Sequence, residues 1–215
     1  MTATDTTLWA ERLARSPCRR GVETVAFCKL GAAALPIALE ILTGKNRFGF
    51  PYDHQSRLGA LGALQFFGED LHWLLAARAD SLLIDFVKRG DSSFRIVAIR
   101  VLGSLGRAAS DEAILALASA MHDDGSAGLA MEATTALASI GGAPAIAGLV
   151  GFLEKKDAGG NWGWNTLAPH IARALGRIGP SARSAIPALL AAKRLDRGDN
   201  GLAEAVDEAL TRIDV

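Results

Sequence analysis

One arrangement of apolar positions keeps returning along the chain: a small residue beside a larger apolar one, then an aliphatic residue followed by Gly. With that Gly as anchor, the pattern stands at Gly31, Gly68, Gly106, Gly141 and Gly179. Asp214 holds the equivalent place at the end, and the steps are 37, 38, 35, 38 and 35 residues. One position before the anchor come Leu30, Phe67, Leu105, Ile140, Ile178 and Ile213; four before come Phe27, Leu64, Leu102, Leu137, Leu175 and Leu210. Five before come Ala26, Ala63, Val101, Ala136, Ala174 and Ala209, and eight before come Glu23, Ala60, Ala98, Ala133, Ile171 and Val206. Offsets of one, four, five and eight share one face of an α-helix, so each anchor closes a helix with an apolar stripe. Small residues in two of those columns let a neighbouring helix come close, which stacking of like units requires. The anchor itself suits the left-handed residue that commonly ends a helix.

A second apolar segment follows each anchor, at 35–42, 82–87, 114–121, 146–153 and 186–195. Pro36, Pro144 and Pro187 fall near the starts of three of these, where a missing N–H does least harm. Each unit therefore reads as helix, tight turn, helix, and the stack supplies the core that one unit lacks.

The units resemble HEAT-like repeats of the short bacterial type also found in phycobilisome lyases, where an Arg opens the first helix and an Ala-Leu-Gly-x-Ile-Gly string closes it. Arg20, Arg57 and Arg95 stand eleven before their anchors, and Ala174-Leu175-Gly176-Arg177-Ile178-Gly179 is that string. Ala130, Ala168 and Ala203 replace the Arg in later units. The resemblance spans roughly residues 17–214 and implies an all-α, right-handed α-solenoid (an α-α superhelix) of five helix pairs. Its second helices would line a concave surface, and most such arrays bind other macromolecules. It implies no single activity.

The expected organisation is one domain over residues 1–215, with an N-terminal cap at 1–16, five pairs at 17–200 and a capping helix at 201–215. The last helix carries Glu204, Asp207, Glu208 and Arg212, a polar outer face that would stop the stack growing. Composition agrees with helices: 40 Ala and 29 Leu outnumber 12 Ile and 8 Val. With 23 basic and 23 acidic residues the formal charge is zero, so no global field attracts nucleic acid or an anionic membrane. Cys18 and Cys28 lie ten apart in one predicted helix, too far for a disulfide. Residues 133–153 carry no charge over 21 positions, but Gly141-Gly142-Ala143-Pro144 in their middle predicts two short helices, not a membrane span. The polar N-terminus has no secretory pattern, and a cytoplasmic location is expected.

Two segments interrupt the repeat between units, 44–54 and 157–165, and both should emerge on one edge. They hold five of the 13 aromatics, namely Phe48, Phe50, Tyr52, Trp162 and Trp164. Exposed rings there suit an interface; the alternative is that they fold back to fill gaps between units. A third insertion, at 69–78, carries Trp73 with Leu71, Leu74 and Leu75 at helical spacing, which favours packing. The candidate partner-binding set is Phe48, Phe50, Tyr52, His54, Trp162, Trp164, Arg183 and Arg194.

Recognisable chemistry is sparse. The His-Glu dipeptides of metal-binding HEAT-like hydroxylases do not occur, and His122 beside Asp123 and Asp124 is a weak metal signal. No Walker loop, dinucleotide Gly pattern or Gly-x-Ser-x-Gly is found, and Gly103 to Gly106 read as turn residues. No catalytic residue, metal or cofactor is assigned. Arg173, Arg177, Arg183, Lys193, Arg194 and Arg197 make a local basic stretch at 173–197 opposed only by Asp196, enough for a few phosphates. Acidic neighbours make the sign alternate along the array, which favours a protein partner over nucleic acid. The leading expectation is a non-catalytic, monomeric protein-binding module: an adaptor, an assembly factor, or an inhibitor of the immunity-protein kind. Two alternatives stand beside it. One is a bilin-lyase-like accessory with Trp162, Trp164, Phe50 and Tyr52 lining a pocket; the other is a nucleic-acid binder through the 173–197 face.

Overall fold

The structure, a computed structural model, describes residues 35–43, 54–64, 79–122, 126–155, 160–196 and 201–214. Every regular element among them is helical: α1 (Leu35–Thr43), α2 (His54–Leu64), α3 (Ala79–Arg89), α4 (Ser92–Ser104), α5 (Asp111–Ala120), α6 (Ala127–Ile140), α7 (Gly142–Glu154), α8 (Gly160–Ile178), α9 (Ile186–Leu195) and α10 (Leu202–Ile213). Short 3-10 turns, Gly106–Ala108 and Gly179–Ala185, follow α4 and α8. The expectations placed on residues 1–34, including the N-terminal cap, Arg20 and both cysteines, lie outside the described residues, as does the 69–78 insertion.

Local chemistry sets the helix ends. Asp91 caps α4, its Oδ1 accepting from the N–H groups of Ser93 and Phe94 at 3.0 and 3.1 Å. Ser110 and Ser126 do the same for α5 and α6 through the N–H groups of Ala113 and Leu129. Gly141 closes α6 with φ 63° and opens α7, which splits the uncharged 133–153 run in two. Gly106 and Gly179 also take positive φ, 53° and 73°, as the anchor position requires. Among the described residues no helix is long and apolar enough to cross a membrane.

The predicted stripe faces inward. Leu64, Leu102, Leu137 and Leu175 in one column, and Ala98, Ala133, Ile171 and Val206 in another, have no exposed surface. Helices α2, α4, α6, α8 and α10 pack consecutively in one layer, and α3, α5, α7 and α9 pack consecutively in a second. Each second-layer helix also touches first-layer neighbours, so a single core runs between the layers.

Two of the contacts within the first layer, α4 with α6 and α8 with α10, turn on a glycine. A Cβ on Gly103 would lie 2.8 Å from the Cβ of Ala136, and one on Gly176 would lie 2.8 Å from the Cα of Ala209. Both glycines stand three before an anchor, and both alanines stand five before the next one. Gly103 is thus not a turn residue: it lies buried within α4, where the absence of a side chain lets α6 come close.

Candidate functional site

The Arg column has a definite structural task. Arg57 of α2 donates through Nη2 to the carbonyl of Leu42, in the last turn of α1, at 3.2 Å. Arg95 of α4 donates through Nε to Val87, near the end of α3, at 2.9 Å. In each case a first-layer helix satisfies a carbonyl that its own helix cannot pair, and places positive charge at the negative end of the helix dipole. Where Ala168 replaces the Arg, Trp164 takes over, its Nε1 donating to the carbonyl of Leu153 in the last turn of α7 at 3.2 Å.

That task decides where the indole goes. Trp164 is 2% exposed and belongs to the core. The 157–165 segment is not a loop throughout, because α8 begins at Gly160 and takes Trp162 and Trp164 into the helix. Of the two expectations for this ring, packing between units is the one observed. Phe48, Phe50 and Tyr52 lie outside the described residues, and so does the side chain of Trp162.

His54 is the first residue of α2, not a loop residue. Its Nδ1 lies 3.5 Å from Oδ2 of Asp91, and its ring meets Phe94 edge-on at 5.0 Å. Phe94 stacks on Phe86 at 5.1 Å, and the Arg57 guanidinium sits over both rings at 5.6 and 5.9 Å. The cluster ties α2, α3 and α4 together around the cap of α4. His122 is likewise engaged with an aromatic neighbour, its ring 5.0 Å from Phe152. Among the described residues no three His, Cys, Asp or Glu side chains gather within reach of one metal ion.

The described residues of the basic stretch at 173–197 are divided among three elements. Arg173 and Arg177 project from α8 in the first layer, whereas Arg183 lies in the 3-10 turn, and Lys193 and Arg194 belong to α9 in the second. Lys193 is paired with Asp207 of α10 at 2.5 Å, and Arg197 lies outside the described residues. On α8 the imidazole of His170 is held below its ordinary value by burial first, then by the charges of Arg173 and Arg177.

The two layers present different outer surfaces. On the first, Arg100 and Glu132 form a two-pronged ion pair from α4 to α6, and this pairing raises the Arg100 pKa above its already high value. The pair borders a groove of about 500 Å3 lined also by Gly103, Ser104, Thr135 and Ser139. The second layer exposes large apolar side chains beside charged ones such as Asp85, Lys88, Asp111, Glu112 and Arg194: Leu115 of α5 is 69% exposed, and Leu190 and Leu195 of α9 are 40% and 43% exposed. These are the large exposed hydrophobic residues among the described part of the chain. Between them α7 offers Ala143, Pro144 and Ala147 as exposed residues and carries no charge from Gly142 to Leu153. Sequence reasoning missed Leu115 and Leu190 because each sits beside an inward residue, Ile114 or Leu189, and an apolar pair reads as core from either member.

No protein-family model matches the sequence, and neither does any curated protein. Among solved structures, the chain is similar to two crystal structures of engineered proteins from a structural genomics consortium. One aligns with a TM-score of 0.55 at 20% identity, covering 95% of this chain and 96% of that one. The other aligns with a TM-score of 0.55 at 19% identity over 99% of this chain, which spans 59% of that protein's length. At these identities the likeness concerns the all-helical fold.

Proposed function

We propose that this chain is a non-catalytic protein-binding module, built as a HEAT-like, right-handed solenoid of five helix pairs with a closing helix, whose partner lies across the second-layer face. The observation that carries this reading is the distribution of exposed hydrophobic residues. Leu115, Leu190 and Leu195 all lie on α5 and α9, with α7, uncharged from Gly142 to Leu153, between them, whereas the first layer presents Arg100, Thr135, Ser139, Arg173 and Arg177. An apolar strip on a stack of parallel helices costs solubility and gains little in folding, so it marks a contact surface. Rigid consecutive helices also present that strip with little ordering cost on binding.

The test is capture from the native cell with two variants. Leu115→Glu with Leu190→Glu should abolish recovery of a stoichiometric partner, while Arg173→Glu with Arg177→Glu should leave it unchanged. Loss with the arginine variant and retention with the leucine variant would place the interface on the other layer and refute the reading.

A further inference from the structure

We infer that the groove between α4 and α6 binds a short linear zwitterion, its carboxylate on Arg100 and its ammonium beside Ser104 and Ser139. This site lies on the first layer and is distinct from the second-layer contact surface. The groove holds about 500 Å3, a size that small-ligand pockets commonly have. Its floor is the contact of Gly103 with Ala136, and having almost no side chain there keeps the space above it open. Arg100 and Glu132 stand at one end, Gly106 and Ser139 at the other. The step from Arg100 to Gly106 corresponds to about 9 Å of helix.

The two ends offer opposite kinds of group. Glu132 takes one edge of the Arg100 guanidinium, with Nε 3.0 Å from Oε2 and Nη2 on Oε1. The remaining edge, Nη1 with the second N–H of Nη2, has no partner among the described residues, and its paired donors match a second carboxylate. At the far end the hydroxyl protons are already committed. Ser104 Oγ donates to the Val101 carbonyl at 2.7 Å, and Ser139 Oγ donates to the Thr135 carbonyl at 3.1 Å. Both oxygens are left as acceptors, and each stands in the last turn of its helix, at the negative end of the dipole. Acceptors in that field suit an ammonium. Because Glu132 already balances Arg100, a ligand of zero net charge leaves no charge uncompensated.

The next contact of the same kind shows that stacking does not need these groups. Gly176 meets Ala209 as Gly103 meets Ala136. Counted from the anchors, however, Ala205 stands in place of Glu132, and Arg177 and Arg212 stand in place of Ser104 and Ser139. The same helix approach thus forms with a different lining, and the ion pair and acceptor hydroxyls of the α4–α6 groove are available to a ligand.

The experiment is titration of the full chain with δ-aminovalerate, ε-aminocaproate and glycylglycine, followed by two-dimensional amide NMR, with valerate and butylamine as single-charge controls. At least one zwitterion should bind with a Kd of about 1 mM or below, the range open to so small a ligand. It should shift the amides of Gly103, Gly106 and Ser139, and each single-charge control should bind at least tenfold more weakly. Tighter binding of glycylglycine would identify a peptide as the source of the zwitterion, and tighter binding of an ω-amino acid a free metabolite; either supports the site. Arg100→Lys keeps the charge without the paired donors and should weaken binding at least tenfold, as should Ser104→Val with Ser139→Val, whereas Arg173→Gln should leave it unchanged. Circular dichroism melting of each variant separates lost contact from lost fold. Valerate binding as tightly as the zwitterions would make this a plain anion site and overturn the inference. Binding lost in Arg173→Gln but kept in Arg100→Lys would place the ligand elsewhere and overturn it, as would amides that none of the probes shifts.

Discussion

At the scale of single residues, two positions carry information out of proportion to their size. Gly103 and Gly176 permit the close approach of α6 and α10, with a would-be Cβ 2.8 Å from the facing alanine in each case. Gly103→Ala should therefore destabilise the chain by about 1–3 kcal/mol, the cost of overpacking a fitted contact. Gly151→Ala, also within a helix but with nothing within 4 Å of the new methyl, should stabilise by about 0.5–1 kcal/mol. Denaturant midpoints of the two variants measure the contrast, and equal effects would show that helix propensity, not packing, governs both. Only two of the six residues three before an anchor are Gly, and alignment on apolar residues skips a position whose contribution is having no side chain. The junction residues show the same limit from the other side. Arg57 and Arg95 were legible as a column, whereas Trp164 performs the related task from a different offset and a different helix turn, so no column contains it. Trp164→Phe keeps most of the ring and removes the donor to Leu153, so a loss of about 1 kcal/mol is expected beyond the change in volume. His170 supplies a pH prediction. Burial and then Arg173 and Arg177 lower its pKa, so the unfolded chain binds the proton more readily. Its contribution is complete above the ordinary imidazole value of about 6.5 and is lost as pH falls through the lower native value. His170→Gln should flatten that part of the stability–pH curve, and an unchanged slope would show that the imidazole is not what senses the acid.

Among elements, the anchors and the second segments were the most legible, because a 3.6-residue period repeated several times is hard to produce otherwise. Helix α9 and helix α10 lie where the pattern puts them, at Ile186–Leu195 and Leu202–Ile213. The start of α8 was less legible. Gly159, Gly160 and Gly163 with Asn161 and Asn165 form a composition that favours a loop, yet α8 runs from Gly160. Anchoring of Trp164 against the end of α7 outweighs the weak local propensity. The caps give a prediction at this scale. Ser110→Ala removes the acceptor for the Ala113 N–H and should cost about 1 kcal/mol. That loss should appear as faster amide exchange in the first turn of α5. Uniform acceleration across all helices would instead mean that the stack opens only as a whole.

For the whole molecule, the repeat explains why the charges cancel without forming a neutral surface. The first layer pairs Arg100 with Glu132 and exposes Arg173 and Arg177, while the second exposes Leu115, Leu190 and Leu195 beside charges of both signs. The sequence showed the charges but not the layers, so Arg173 and Lys193 read as one stretch although they lie on α8 of the first layer and α9 of the second. Because Leu115 is exposed, Leu115→Glu should change folding stability by no more than about 0.5 kcal/mol. Its effect on partner binding can then be read without a folding correction. The most direct measurement is photo-crosslinking in the native cell, with a photoreactive residue placed in turn at Leu115, Ala147 and Leu190 on the second layer and at Arg100, Thr135 and Arg173 on the first. The proposal predicts that one discrete adduct forms from the three second-layer positions and from none of the first-layer positions. Adducts from the first layer alone would contradict it.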